Sequence, residues 1–274
     1  MIYSNSYINR RKSVIKSRIN NFLINFKETK PLSPLFYGIG LPRSGTHSLA
    51  HAFEDTYCAA HEPWNTKTIY LVLAYKKGLF TKSDIVQILK YRQSKLNLEV
   101  ESSHYLHYLA AELSEIYPQT KFILTIREPM AWIRSELRKN ALTAYPHWKE
   151  LQDFRYLDEK NIVKSFTDIP HSYSIESYLR YWKSHIQYCI ENIPSNRLFI
   201  VETKEIIQKK EEIASFLNID SSNINTDKMW SGKGNPEVKI QKIPEEKVKE
   251  RIKSYLHPFI MEYLPDFATT FCRE

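Results

Sequence analysis

The sequence is poor in glycine, with six in 274 residues, where average usage would give about nineteen. Each one left therefore marks a place where backbone geometry asks for it, and Gly40 and Gly45 fall in one short motif. Cysteine is scarcer still. Cys58, Cys189 and Cys272 are far apart and lack metal-ligand spacing, so a metal site is not expected and a reducing cytoplasm is. Apolar runs of membrane-spanning length are missing too. The stretch from Met1 to Phe26 interrupts its apolar residues with Arg and Lys, which leaves no signal-peptide core and no membrane span. A cytoplasmic location is the expectation. No RNA-binding or helix-turn-helix signature occurs and the basic residues are scattered, so nucleic acid is not the expected partner.

Hydrophobic residues make up 42% and charged residues 26%, the balance of a soluble globular chain. No repeat or low-complexity tract forces a boundary, so residues 1–274 read as one domain. The formal charge of +8 suits a polyanionic ligand. Residues 1–34 read as a basic helical lead-in, 218–242 as a long polar loop and 243–274 as C-terminal helices. Between them, apolar segments at 35–40, 57–60, 96–100, 121–126 and 197–201 read as strands, with helical patterns between them. The clearest helix is 174–193, where Ile175, Tyr178, Leu179, Trp182, Ile186, Cys189, Ile190 and Ile193 recur every three or four residues. Strand–helix alternation predicts an α/β fold, a central parallel sheet flanked by helices in three layers.

Gly40-Leu41-Pro42-Arg43-Ser44-Gly45-Thr46-His47-Ser48 follows the first strand and opens a helix. In that context free amides and the helix dipole attract an anion. The glycine spacing is that of a Walker A loop, but Thr46 stands in place of its lysine and His47 in place of its Ser or Thr. That argues against an ATP kinase. The run Leu41 to Thr46 resembles instead the 5′-phosphosulfate loop of sulfotransferases, a P-loop-like fold, in which Arg43 matches the basic residue. The resemblance implies that Arg43, Ser44, Gly45, Thr46, His47 and Ser48 hold 3′-phosphoadenosine 5′-phosphosulfate (PAPS), with 3′,5′-adenosine bisphosphate (PAP) as product and no metal. Arg43 would stabilise the charge on the departing phosphate.

A second strand ends in Arg127, and Ser135 lies eight residues further on. This pair resembles the family's 3′-phosphate grip. Arginine can fork two phosphate oxygens and serine can donate a third bond. Arg134 could assist. Lys233 and Gly234 are similar to a family loop that closes over the nucleotide.

The acceptor's proton needs a base. Glu62, in Ala60-His61-Glu62-Pro63, stands where several family members carry a catalytic glutamate. His104 lies near where others carry a histidine, and both remain candidates. Glu101 could instead be a Walker B carboxylate. The expected acceptor is a small molecule with a hydroxyl, amine or carbamoyl nitrogen. Trp64, Trp148, Asp153 and Trp230 could suit a cationic one, such as a guanidinium alkaloid from natural-product biosynthesis. A P-loop nucleotide kinase and a nucleic-acid-binding module remain the alternatives, and the oligomeric state is left open.

Overall fold

A computed structural model describes residues 33–140, 146–156, 173–230 and 245–271. Strand β1 (Phe36–Gly38) turns into the short helix α1 (Thr46–His51). Next come β2 (Ala59–His61), α2 (Asn65–Lys76), α3 (Lys82–Leu96) and β3 (Val100–Ser102). The chain continues through α4 (Ala110–Ile116), β4 (Lys121–Ile126), α5 (Pro129–Asn140), α6 (Pro146–Tyr156), α7 (Ile175–Asn192), β5 (Leu198–Glu202) and α8 (Lys210–Leu217). Short helices α9 (Glu245–Arg251), α10 (His257–Tyr263) and α11 (Ala268–Phe271) end the described chain.

The five strands form one parallel sheet in the order β2-β3-β1-β4-β5, the α/β architecture that the alternation predicts. Strand pleating sends neighbouring residues to opposite faces, and the core divides accordingly. Tyr37, Phe122 and Leu124 join the larger apolar cluster with α7, while Phe36, Val100 and Ile123 join a second one with α1 and α8. Every strand is parallel, so all carboxyl ends lie along one edge. The loops after β1, β2, β3 and β4, which carry Arg43, Glu62, His104 and Arg127, share that edge. β1 lies between β3 and β4, and chain connections diverge to either side of it. A crevice at such a switch point is where open α/β sheets take ligands.

The strand expected at 121–126 occupies those residues, but others shift toward their C-termini. β3 starts at Val100 because α3 continues to Leu96 and closes on Asn97 in the left-handed conformation, φ 47° and ψ 42°, which asparagine tolerates. β2 starts at Ala59 because the Tyr57 amide still bonds back to Phe53 O at 2.9 Å. The long loop predicted from 218 contains 3₁₀ turns at Ser221–Asn223 and Thr226–Trp230. Most of the basic lead-in and the rest of that loop lie outside the described residues. No helix among the described residues is long and apolar enough to cross a membrane.

Candidate active site

The loop after β1 is fixed from beneath. Gly40 packs against β4 so closely that a Cβ there would overlap Thr125 Oγ1. Ser44 is fully buried, and its hydroxyl lies 2.7 Å from Thr125 O and 2.8 Å from Thr125 Oγ1. Its side chain therefore anchors the loop to the sheet rather than facing the mouth. Trp132 donates its indole N–H to Pro42 O at 2.8 Å, and the Thr203 hydroxyl lies 2.8 Å from Ser44 O. Gly45 caps α1 at φ 93°, a region that a side chain rarely enters. The opening amides of α1 follow, with no carbonyl one turn back to accept them. Thr46 is buried with its hydroxyl 3.3 Å from His61 Nε2, His47 is exposed and Ser48 half-buried.

Arg127 and Ser135 come to this loop from β4 and α5. Arg127 Nη1 donates to Arg43 O at 3.3 Å, and Arg43 Nε lies 3.4 Å from Ser135 Oγ. The two arginines predicted to grip opposite ends of a bisphosphorylated nucleotide thus share one rim. Burial lowers the pKa of Arg127, and the adjacent Arg43 charge lowers it further. Two neighbouring guanidinium groups and a serine hydroxyl thus put positive charge and hydrogen-bond donors on one rim. Trp182 on α7 steadies it, donating to Arg127 O at 3.0 Å. Glu128 accepts from the Met130 and Ala131 amides at 2.8 and 2.6 Å, so the start of α5 is capped by the protein itself. Arg134 is held by Glu245. Lys233 and Gly234 lie outside the described residues.

The two candidate bases are brought together. His104 Nδ1 is 2.6 Å from Glu62 Oε1. Glu62 Oε2 accepts from Asn65 Nδ2 at 3.1 Å and from the Tyr105 hydroxyl at 3.1 Å. Burial pushes the Glu62 carboxyl up, but the charge and hydrogen bond of His104, then His61 and Tyr105, outweigh it and bring it down to about 2. Burial brings His104 down to about 4, so at neutral pH the imidazole is uncharged and gives its Nδ1–H to an ionised carboxylate. Among the described residues five non-glycine residues have positive φ: Asn97 and Asn218 close helices, whereas Arg43 (62°), Glu62 (49°) and Trp64 (53°), the last an N-cap, lie in the loops after β1 and β2. Backbone strain of this kind collects at functional sites.

Glu101 is not poised for a metal. It is fully buried and pairs with both Arg92 guanidinium arms, at 2.5 and 2.6 Å. Among the described residues no group of three or more His, Cys, Asp or Glu side chains could hold a metal ion. Sequence reasoning missed Asn65, Tyr105, Trp132, Trp182 and Thr203, whose polar contacts join segments far apart in the chain.

Residues 37–225 match the family model described as a sulfotransferase domain, well over half of the chain. The chain belongs to the sulfotransferase family. This sulfotransferase is similar in structure to one from Alicyclobacillus acidocaldarius at 14% identity, covering 89% of this chain and 97% of that one with a TM-score of 0.44. It is similar also to the sulfotransferase domain of the Synechococcus PCC 7002 olefin synthase (15% identity, 84% and 97% covered, TM-score 0.38). A third is the sulfotransferase STF9 from Mycobacterium avium (11% identity, 88% and 81% covered, TM-score 0.44). No curated protein matches the chain.

Proposed function

We propose that this sulfotransferase uses PAPS as donor and passes its sulfuryl group to a hydroxyl, amine or carbamoyl nitrogen of a small molecule. The observation that carries the reading is the shared rim of Arg43, Arg127 and Ser135 above the amides that open α1. One rim of this kind suits a nucleotide with anionic groups on both its 3′ and 5′ positions. In the transfer, the acceptor atom bonds to sulfur, the bond from sulfur to the bridging phosphate oxygen breaks, and PAP leaves. Arg43 and the loop amides offset the charge that builds on that oxygen. The acceptor's proton goes to Glu62, whose side chain is 15% exposed against 4% for His104. His61, 3.5 Å from Glu62, connects it to Thr46 of the loop.

A second reading of the base rests on His104 Nε2, which has no hydrogen-bond partner among the described residues. There Glu62 orients the imidazole, and His104 takes the proton.

Calorimetric titration with PAP and ADP, followed by release of PAP from PAPS in the presence of phenols and amines, tests the function. PAP should bind at least about tenfold tighter than ADP, since charge-assisted hydrogen bonds contribute about 1.5–3 kcal/mol. Equal binding of the two, or tighter binding of ATP with Mg²⁺, would overturn the proposal.

A further inference from the structure

Arg155, in the last turn of α6, is 5% exposed. Its guanidinium carbon stands 6.0 Å from the Tyr105 ring centre, 5.9 Å from Trp148 and 5.2 Å from Tyr181. A buried guanidinium needs acceptors for its N–H groups, and Arg92 finds them on Glu101 and Pro63 O. Arg155 finds no carboxylate in hydrogen-bond geometry: Nε, Nη1 and Nη2 make no well-formed hydrogen bond among the described residues, and the Tyr108 hydroxyl is the acceptor within reach. The phenols of Tyr108 and Tyr181 lie beside it, but burial pushes both above their ordinary range, so neither ionises to balance the charge. The carboxylate that acts on Arg155 is Glu136, which accepts from the Tyr156 hydroxyl at 2.9 Å.

The unmet donors border the base. Trp148 Nε1 is also buried without a partner, and the Trp148 ring centre is 6.0 Å from that of His104. Tyr105, overlooked by Arg155, donates its hydroxyl to Glu62. One aromatic side chain therefore separates this guanidinium from the Glu62 carboxylate. Of the four side chains expected to suit a cationic acceptor, three already have partners. Lys67 lies 4.5 Å over Trp64, Arg155 faces Trp148, and Asp153 takes Lys149 at 2.8 Å and Tyr173 at 2.6 Å.

We infer that Arg155 anchors a carboxylate of the acceptor, so that the substrate is an anionic small molecule presenting its hydroxyl or amine to the Glu62–His104 pair. The word acceptor rests on the sulfotransfer reading; the carboxylate site does not. An arginine can bind both carboxylate oxygens through its planar fork, and the aromatic walls exclude the water that would weaken the pair. Selectivity follows, because a neutral or cationic analogue leaves the guanidinium unmet.

The test uses three probes of one shape: phenylacetate, methyl phenylacetate and benzylammonium. Each is titrated by calorimetry into the full chain, with and without PAP. Phenylacetate should bind at least about tenfold more tightly than the other two, the scale of a charge-assisted hydrogen bond. Arg155→Met should abolish that preference while PAP affinity stays within about twofold. Arg155→Lys keeps the charge without the fork and should retain part of the preference, which serves as the readout if the methionine variant does not fold. The proposal is overturned if the wild type binds benzylammonium in preference, does not discriminate or binds none of the probes, and equally if Arg155→Met keeps the preference for phenylacetate or loses PAP affinity. Failure of PAP to bind would sink the sulfotransfer reading alone, because the carboxylate titration is read on the unloaded protein as well.

Discussion

His104 and Glu62, 2.6 Å apart, come from the ends of two neighbouring strands, and together they form a hydrogen-bonded acid–base pair at the carboxyl edge of the sheet. The carboxylate is ionised and the imidazole neutral at working pH. Glu62→Gln keeps an oxygen and a donor in place but removes the carboxylate. It should lower kcat by about 10²–10⁴-fold with PAP affinity unchanged. His104→Asn can still donate to Glu62 and should retain activity within about tenfold. Steady-state rates of the two variants decide between the bases, and the opposite order would assign the proton to His104.

Buried neutral histidines tie stability to pH. Burial brings His104 down to about 4 and His185 to about 3 from 6.5. Below pH 6.5 the unfolded chain takes up protons that the folded chain refuses, so stability is full above that pH and falls as pH drops toward 4 and then 3. For His104 the span corresponds to a loss on the order of 3 kcal/mol. Glu62 adds to the loss at lower pH, from its ordinary 4.5 toward about 2. His185→Gln can keep the hydrogen bond to Ile39 O, now 2.8 Å long, without the titration. Denaturant unfolding between pH 7 and 4 should then show a shallower decline than in the wild type, and an unchanged slope would remove His185 as a cause.

Arg127 and Ser135 are expected to distinguish PAP from ADP. Arg127→Ala should weaken PAP by about 10–100-fold, the scale of a charged hydrogen bond, and change ADP affinity far less. Ser135→Ala should cost less, because its hydroxyl is neutral. Calorimetry with both nucleotides on each variant checks the ordering, and equal losses for PAP and ADP would place the 3′-phosphate elsewhere.

How far the sequence disclosed this site depends on the range of the interactions involved. The loop around Gly45 and the strand ending at Arg127 were legible because their cues are local: a short apolar run, a glycine and an arginine at its end. The parallel sheet was legible from alternation alone. The limits of β3 were not, because helix α3 runs on to Asn97 where composition suggested a strand. Nor was the partnership of Glu62 with His104, which only adjacency of β2 and β3 creates. The polar contacts of Trp132, Trp182 and Arg155 carry no local signature, since they span tens of residues, and a guanidinium without a carboxylate partner is visible only once burial is known.

Gly45 is needed on two counts. Its φ of 93° strains any side chain, and a Cβ would stand 3.1 Å from Ile206 Cδ1 and 3.3 Å from Thr203 Cγ2. Gly45→Ala should cost about 1–2 kcal/mol in stability and more than that in PAP binding, since the amides that follow it would turn from the nucleotide. Thermal unfolding and PAP titration on one sample measure both. A variant as stable as wild type with full PAP affinity would show that the loop tolerates a side chain there.

Arg92 and Glu101 hold the scaffold under Glu62. Arg92 forks onto Glu101 on β3 and donates to Pro63 O at 3.0 Å, the residue after Glu62. Both side chains are buried, so removing one leaves an uncompensated charge. Arg92→Met alone should destabilise by about 3–5 kcal/mol, whereas Arg92→Met with Glu101→Leu should recover much of the loss. Activity separates the remaining role. If the arginine also positions Glu62 through Pro63, the double variant should regain stability yet keep a lowered kcat at unchanged PAP affinity. A double variant with wild-type kcat would reduce Arg92 to a partner of Glu101 alone.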